Sequence, residues 1–131
     1  MRVLLDTHIL LWALAAPRRL DRETRATIES SDTEVLFSAA SIWEIAIKSG
    51  LGRSDFAFDA EEIAQAALDT GFTEVAVHAK AAALVARLPL LHRDPFDRVL
   101  VAQAIVEPAT LYTADQQLVP YSDLVRHVGS T

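Results

Sequence analysis

The chain has 131 residues, about half of them hydrophobic (51%) and 23% charged, which predicts a single globular domain over residues 1–131. It has no cysteine, which excludes disulfide scaffolds, zinc–thiolate sites, iron–sulfur clusters and thiol catalysis. A formal charge of −6 argues against a simple DNA-binding module, because such a module carries a net basic face.

The longest apolar run, residues 9–16, is far shorter than the ~20 residues that a membrane helix needs. Asp6 and His8 lie directly ahead of this run, which is not the basic and then apolar pattern of a secretory signal. We therefore expect a cytoplasmic protein that does not contact a membrane.

Short apolar runs alternate with amphipathic segments along the chain. In chain order we predict a strand over residues 2–5, a helix over 7–15, a helix that follows Asp21, a strand over 35–37, helices over 40–49 and 60–70, a strand over 74–77, helices over 78–87 and 95–107, and strands over 110–113 and 124–128. Alternating strands and helices indicate an α/β fold with three layers, in which helices cover both faces of a short parallel sheet of four to five strands.

Four acidic residues come close to predicted strand ends or helix starts: Asp6, Glu44, Asp97 and Asp115. Each has a structural interpretation, because Asp6 and Asp115 can cap the helix or turn directly after them and Glu44 can pair with Lys48 four residues later on a helix. In a parallel α/β sheet, however, ligands bind beyond the carboxyl ends of the strands, where these acids would meet.

Four carboxylates that meet at one edge would repel one another strongly. Two unit charges ~4 Å apart near a protein surface interact by roughly 4 kcal/mol, against a domain stability of ~5–15 kcal/mol. The acids are therefore either spread apart or held by a cation. A site without cysteine or paired histidine favours the hard ions Mg²⁺ or Mn²⁺ over zinc.

Four sequence blocks resemble the motifs of PIN-domain ribonucleases, most closely the VapC-type toxins of bacterial toxin–antitoxin pairs. They are LLDTH (residues 4–8), SIWEIAIK (residues 41–48), DPFDRVLVAQA (residues 94–104) and LYTAD (residues 111–115). The resemblance covers residues 2–128 and implies that Asp6, Glu44, Asp97 and Asp115 bind Mg²⁺ or Mn²⁺ for hydrolysis of RNA phosphodiester bonds. Asp94 is then a helix cap, and Thr113 is the small hydroxyl residue near the fourth acid.

The resemblance also implies two protein partners, a second copy of the chain and a cognate antitoxin. The run over residues 9–16 is too apolar for a lone surface helix, so we expect a homodimer. The antitoxin tail would fold onto Leu10, Leu11, Trp12 and Leu14 and the helix after Asp21.

Substrate contacts must come from local basic groups, because the net charge opposes RNA binding. The basic residues near the motifs are Lys48, Arg53, His92, Arg93 and Arg98. For each of them a solvated helix face competes with a phosphate contact, and the four histidines are too scattered to offer a general base.

Other functions stay open at this level. A stand-alone PIN nuclease that processes RNA without an antitoxin would carry the same acids. A phosphoacceptor signalling domain has a similar length and an acidic pocket, but it needs a lysine after its last core strand, and none follows Lys80. A catalytically inactive binding module would not need the complete set of acids.

Overall fold

Five parallel strands form the central sheet in the computed structural model, which describes residues 1–129. The strands are β1 (Arg2–Leu5), β2 (Glu34–Ser38), β3 (Thr73–Val75), β4 (Thr110–Thr113) and β5 (Val125–His127). The helices are α1 (Thr7–Ala15), α2 (Arg22–Glu29), α3 (Ala39–Gly50), α4 (Ala60–Thr70), α5 (Ala79–Leu84) and α6 (Pro95–Val106). The prediction of an α/β fold with four to five parallel strands is confirmed.

Alternate residues of each strand face opposite sides of the sheet, because successive side chains point in opposite directions. Val3 and Leu5 pack in a core with residues of α1 to α4, and Leu4 packs in a second core with residues of α6. All three side chains are fully buried. Helices therefore cover both faces of the sheet, which is the predicted three-layer arrangement.

The strand order is β3-β2-β1-β4-β5. Strands β2 and β3 are added on one side of β1, and β4 and β5 are added on its other side, so the order of addition reverses between β1 and β4. A crevice forms at such a point because the connections after the two strands leave toward opposite faces. Asp6 follows β1, and Asp115 follows β4 by two residues. The topology therefore explains why the first and last of the predicted site residues lie side by side.

Helix boundaries follow the capping residues of the sequence. The carboxylates of Asp21, Asp59 and Asp94 each accept a backbone N–H of the first turn of the helix that follows. Gly71 ends α4 with a φ of 98°, a left-handed conformation that glycine adopts without a steric cost. Asp94 is thus a helix cap, as expected.

Several boundaries differ from the predictions. Strand β3 begins one residue before the predicted start and ends at Val75, and α5 ends at Leu84, where a 3₁₀ turn continues it. Further 3₁₀ turns lie over Pro17–Arg19, Ser54–Phe56 and Gln116–Tyr121, where no element was predicted. The predicted domain range extends to residues 130 and 131, which lie outside the described residues.

The apolar helix α1 is not a surface helix, so the reason given for self-association is wrong. Ile9, Leu10 and Leu11 are at most 2% exposed and belong to the core beneath α1. The same burial removes Leu10 from the predicted antitoxin surface, whereas Leu11 still lines the cavity next to Trp12. Trp12 and Leu14 are only partly buried, so they remain accessible.

Among the described residues, no helix combines the length and the hydropathy that crossing a membrane would require.

Candidate functional site

The four predicted site residues line one cleft of about 480 Å³ at the carboxyl edge of the sheet. Asp6 comes from the β1–α1 junction, Glu44 from α3, Asp97 from α6 and Asp115 from the residues after β4. The sheet and three helices therefore bring together acids that lie up to 109 positions apart in the chain. Asp94 lines the cleft as well.

Asp6 is held at the floor of the cleft by hydrogen bonds to both carboxylate oxygens and to its backbone. Its Oδ1 accepts the backbone N–H of Ile9 at 2.9 Å and so caps α1. Its Oδ2 accepts the Thr113 hydroxyl at 2.5 Å and the Ala114 N–H at 3.2 Å, and the Asp6 backbone N–H donates to Tyr112. Burial raises the pKa of Asp6, although these hydrogen bonds oppose the rise.

Glu44 is buried beside Asp6 and has a partner on each oxygen. Thr7, the first residue of α1, donates its hydroxyl to Glu44 Oε1 at 2.6 Å. Lys48, one helical turn later, donates to Glu44 Oε2 at 2.5 Å and also reaches Asp94 Oδ2 at 3.3 Å. Burial alone would lower the pKa of Lys48, but its contacts with Glu44 and Asp94 outweigh burial and raise it. The predicted helical ion pair is therefore present inside the cleft.

Asp97 lies in the first turn of α6, where Asp94 caps the helix by accepting the N–H groups of Phe96 and Asp97. The pKa of Asp97 is raised from its usual 3.8 to about 8, first by burial and then by the charges of Asp94, Asp6, Glu44 and Asp115. The carboxylates thus lie close enough to penalise one another, and Lys48 offsets only part of that charge.

Asp115 is the most exposed of the four acids, and its neighbour is His92, which the sequence suggested only as a possible substrate contact. The two side chains meet at 2.7 Å between His92 Nε2 and Asp115 Oδ2, and His92 Nε2 lies 3.7 Å from Asp97 Oδ2. One histidine therefore lines the cleft beside the acids. The available signal was the position of His92 two residues before the Asp94 cap.

The lining of the cleft fits a divalent cation. Carboxylate oxygens from four elements face it, and one atom each from His92, Asp97 and Asp115 lie within 4.8 Å of one another. Burial is the first cause of the raised pKa of Asp97 and the charges of the neighbouring acids are the second, and a bound cation would oppose both. Oxygen-rich surroundings of this kind suit hard ions such as Mg²⁺ or Mn²⁺.

The predicted basic contacts separate into different roles. Arg98 is nearly buried, and its guanidinium donates to the carbonyls of Val85 and Leu88, so it lies neither on a solvated helix face nor in the lining of the cleft. Arg53 lines the cleft and pairs with Asp55. Arg93 is exposed next to His92 but does not line the cleft.

The pKa of Asp97 leads to a prediction about the stability of the metal-free protein. Between pH 4 and pH 8 the unfolded chain loses this proton while the folded chain keeps it, so the free energy of unfolding falls as pH rises, by up to ~1.4 kcal/mol per pH unit. Above pH 8 Asp97 is ionised in both the folded and the unfolded chain, so it no longer makes the free energy of unfolding depend on pH. Urea unfolding in EDTA at pH 5, 7 and 9 measures it against Asp97→Asn, which cannot ionise. We expect the variant to gain stability over the wild type as pH rises; parallel pH profiles would contradict this.

Comparison with known proteins adds three findings. A family model described as the PIN domain matches residues 3–123. Ribonuclease VapC22 of Mycobacterium tuberculosis (strain ATCC 25618 / H37Rv) is 33% identical over 120 residues, which cover 88% of each chain. A chain in the crystal structure of VapBC2 from Rickettsia felis, bound to a DNA fragment from their promoter, matches with a TM-score of 0.71 at 15% identity. The match covers 98% of this chain and 99% of that chain, and at this identity it shows the fold.

Proposed function

Because this chain belongs to the PIN domain family and is related to a VapC ribonuclease, we propose that it is a divalent-metal-dependent endoribonuclease that acts as the toxin of a toxin–antitoxin pair. One observation carries the proposal. A single cleft, at the point between β1 and β4 where the order of strand addition reverses, is lined by Asp6, Glu44, Asp97 and Asp115. Membership of this family argues against the phosphoacceptor domain.

In the proposed reaction these four acids hold the metal and the attacking water. When Mg²⁺ or Mn²⁺ is bound, it lowers the pKa of a water molecule and neutralises charge on the scissile phosphate. Asp6 and Asp97 are the principal ligands, and Glu44 and Asp115 complete the site directly or through water. Thr113 and the α1 backbone keep Asp6 in place, and Thr7 and Lys48 keep Glu44 in place.

The direct test is cleavage of a structured RNA by the purified protein. We expect cleavage with Mg²⁺ or Mn²⁺ and none in EDTA, because the cleft offers carboxylates as ligands and no nucleophilic thiol. Restoring the metal after EDTA should restore cleavage. Undiminished activity in EDTA would overturn the metal-dependent mechanism.

The proposed antitoxin surface is a groove lined by Leu11 and Trp12, and it leaves out Leu10, which is fully buried. Trp12 lines a cavity of about 380 Å³ together with residues of α1 and the Ser54–Phe56 turn, and it also lines the acidic cleft. Arg19 lies over its ring at 4.4 Å. A flexible antitoxin tail in this groove could therefore place an arginine against the carboxylates.

The region around Trp43 is a more exposed apolar surface for the proposed homodimer than α1 is. Trp43 is 63% exposed, packs edge-on against Phe96 at 5.2 Å, and lines a cavity of about 340 Å³ with Val77, Val85 and Val99. We call these five residues the Trp43 patch. Because the lining of this cavity carries no charged residue, a second copy of the same patch suits it across a two-fold axis.

Substitution of Trp43 tests that assignment. We expect wild type to sediment as a dimer at micromolar concentration and Trp43→Asp to sediment as a monomer, since an aspartate would bury a charge in an apolar contact. Leu68→Asp is the matched control, because Leu68 is 48% exposed on α4 and lies outside the patch. A wild-type monomer, or a dimer in Trp43→Asp, would contradict the proposal.

A further inference from the structure

His92 connects the two segments that form the outer side of the cleft. Its backbone N–H donates to the Tyr121 hydroxyl at 2.9 Å, and its ring Nε2 lies 2.7 Å from Asp115 Oδ2. Its ring Nδ1 accepts the backbone N–H of Asp94 at 3.0 Å. The imidazole therefore spans from the cap of α6 to the acid that follows β4.

These contacts determine which ring nitrogen carries a proton. Nδ1 accepts a hydrogen bond from the Asp94 N–H, so it has no proton of its own. A neutral imidazole holds one proton, which must then be on Nε2, where it is donated to Asp115 Oδ2. A proton on Nδ1 would instead place two N–H groups against each other at 3.0 Å.

Asp115 needs such a partner because it is the least enclosed acid of the cleft. Its side chain is 35% exposed, while those of Glu44 and Asp97 are 3% and 18% exposed. Its Oδ1 accepts the Gln117 N–H at 2.9 Å, so the hydrogen bond from His92 is what holds its second oxygen. Without His92, the carboxylate could rotate about the one contact that remains.

We propose that His92 is a positioning residue that orients Asp115 by donating its Nε2 proton and that it does not bind the metal. The close spacing of His92, Asp97 and Asp115 alone would also suit a histidine ligand. Coordination by Nε2 would require the proton to move to Nδ1, against the Asp94 N–H. This inference rests on the proposed function, because Asp115 matters to catalysis only if the cleft holds the metal.

Two near-isosteric variants separate the two ends of the ring. In His92→Gln the side-chain amide reaches the position of Nε2 and can still donate to Asp115. In His92→Asn the amide oxygen can replace Nδ1 as the acceptor for the Asp94 N–H, but the side chain is too short to reach Asp115. Melting temperatures measured for both variants establish that each is folded.

We expect His92→Asn to lose Mn²⁺ affinity by about 10–100-fold, the effect typical of removing a group that orients a ligand. His92→Gln should stay close to wild type. Equal affinity of the two variants, or a greater loss in His92→Gln, would overturn the proposal. Mn²⁺ titration does not depend on cleavage, so this result is separate from a failure to find nuclease activity.

Spectroscopy tests where the His92 proton lies and whether His92 binds the metal, without any measurement of activity. Nitrogen-15 correlation spectra of the metal-free protein should show the proton of His92 on Nε2, with the signal identified by its loss in His92→Gln. Pulsed electron paramagnetic resonance of the Mn²⁺-loaded protein should show no directly bound imidazole nitrogen. A proton on Nδ1 would overturn the assignment, and a bound nitrogen that disappears in His92→Gln would show that His92 is a ligand.

Discussion

Asp97→Asn is expected to reduce RNA cleavage by at least ~10²-fold while the protein stays folded. Removing a group that only orients a metal ligand costs ~10–100-fold, so loss of a ligand should cost more. Asparagine keeps the size of the side chain and removes a charge that its neighbours disfavour, since burial and four carboxylates raise the pKa of Asp97. Single-turnover cleavage rates with saturating Mn²⁺ measure the loss, and urea unfolding in EDTA measures the gain in stability.

Asp94→Asn is the matched control for this experiment. It removes one charge from the same cleft, and asparagine caps helices about as well as aspartate. We expect this variant to keep most of its activity. If both variants lose activity equally, the general charge of the cleft matters rather than a specific role of Asp97. If Asp97→Asn destabilises the metal-free protein, the side chain is structural.

The second large effect is on growth, and it tests the toxin assignment. Wild type expressed alone should stop the growth of bacterial cells, and co-expression of the antitoxin encoded beside it should relieve the arrest. Asp97→Asn should be harmless alone and should still bind the antitoxin, because the Trp12 groove is formed by other residues. Colony counts after induction and co-purification of the two chains measure these outcomes.

Tolerance of the wild-type chain at full expression, with no partner present, would contradict the toxin assignment. The stand-alone RNA-processing nuclease would then be the better interpretation of the same cleft. Arg19→Ala gives an independent measurement, because Arg19 lines the Trp12 groove but not the acidic cleft. It should weaken antitoxin binding while leaving cleavage in the absence of antitoxin unchanged. Unchanged antitoxin binding would place the interface elsewhere.

Much of the fold and the four acids could be predicted because their signals are local. Asp59 and Asp94 cap helices within three residues of themselves, and the last three residues of β1 are an apolar run directly ahead of Asp6. A parallel sheet then brings strand ends together without any knowledge of side-chain contacts. Order along the chain was therefore enough to place Asp6 and Asp115 at one edge.

The remaining features depend on contacts between distant segments. His92 contacts Asp115 although the two lie 23 positions apart, and nothing in the sequence predicts that this histidine pairs with this aspartate. Arg98 points inward because the carbonyls of Val85 and Leu88 accept its guanidinium at the turn that follows α5. Leu10 and Leu11 are covered by packing that a helical pattern cannot reveal, since an apolar helix can lie in a core or at an interface.

The hydrogen bond between Asp6 and Thr113 also has a consequence for the newly made chain. These residues are 107 positions apart, and β4 pairs directly with β1. At a synthesis rate of ~5–20 residues per second, about 5–20 s pass between the two on the ribosome. During that interval Asp6 lacks its β4 neighbour, and Asp97 and Asp115 come late as well, so the acidic cleft cannot form. A nascent or prematurely ended chain that lacks β4 therefore has no assembled cleft, and under the proposed function it would not cleave RNA.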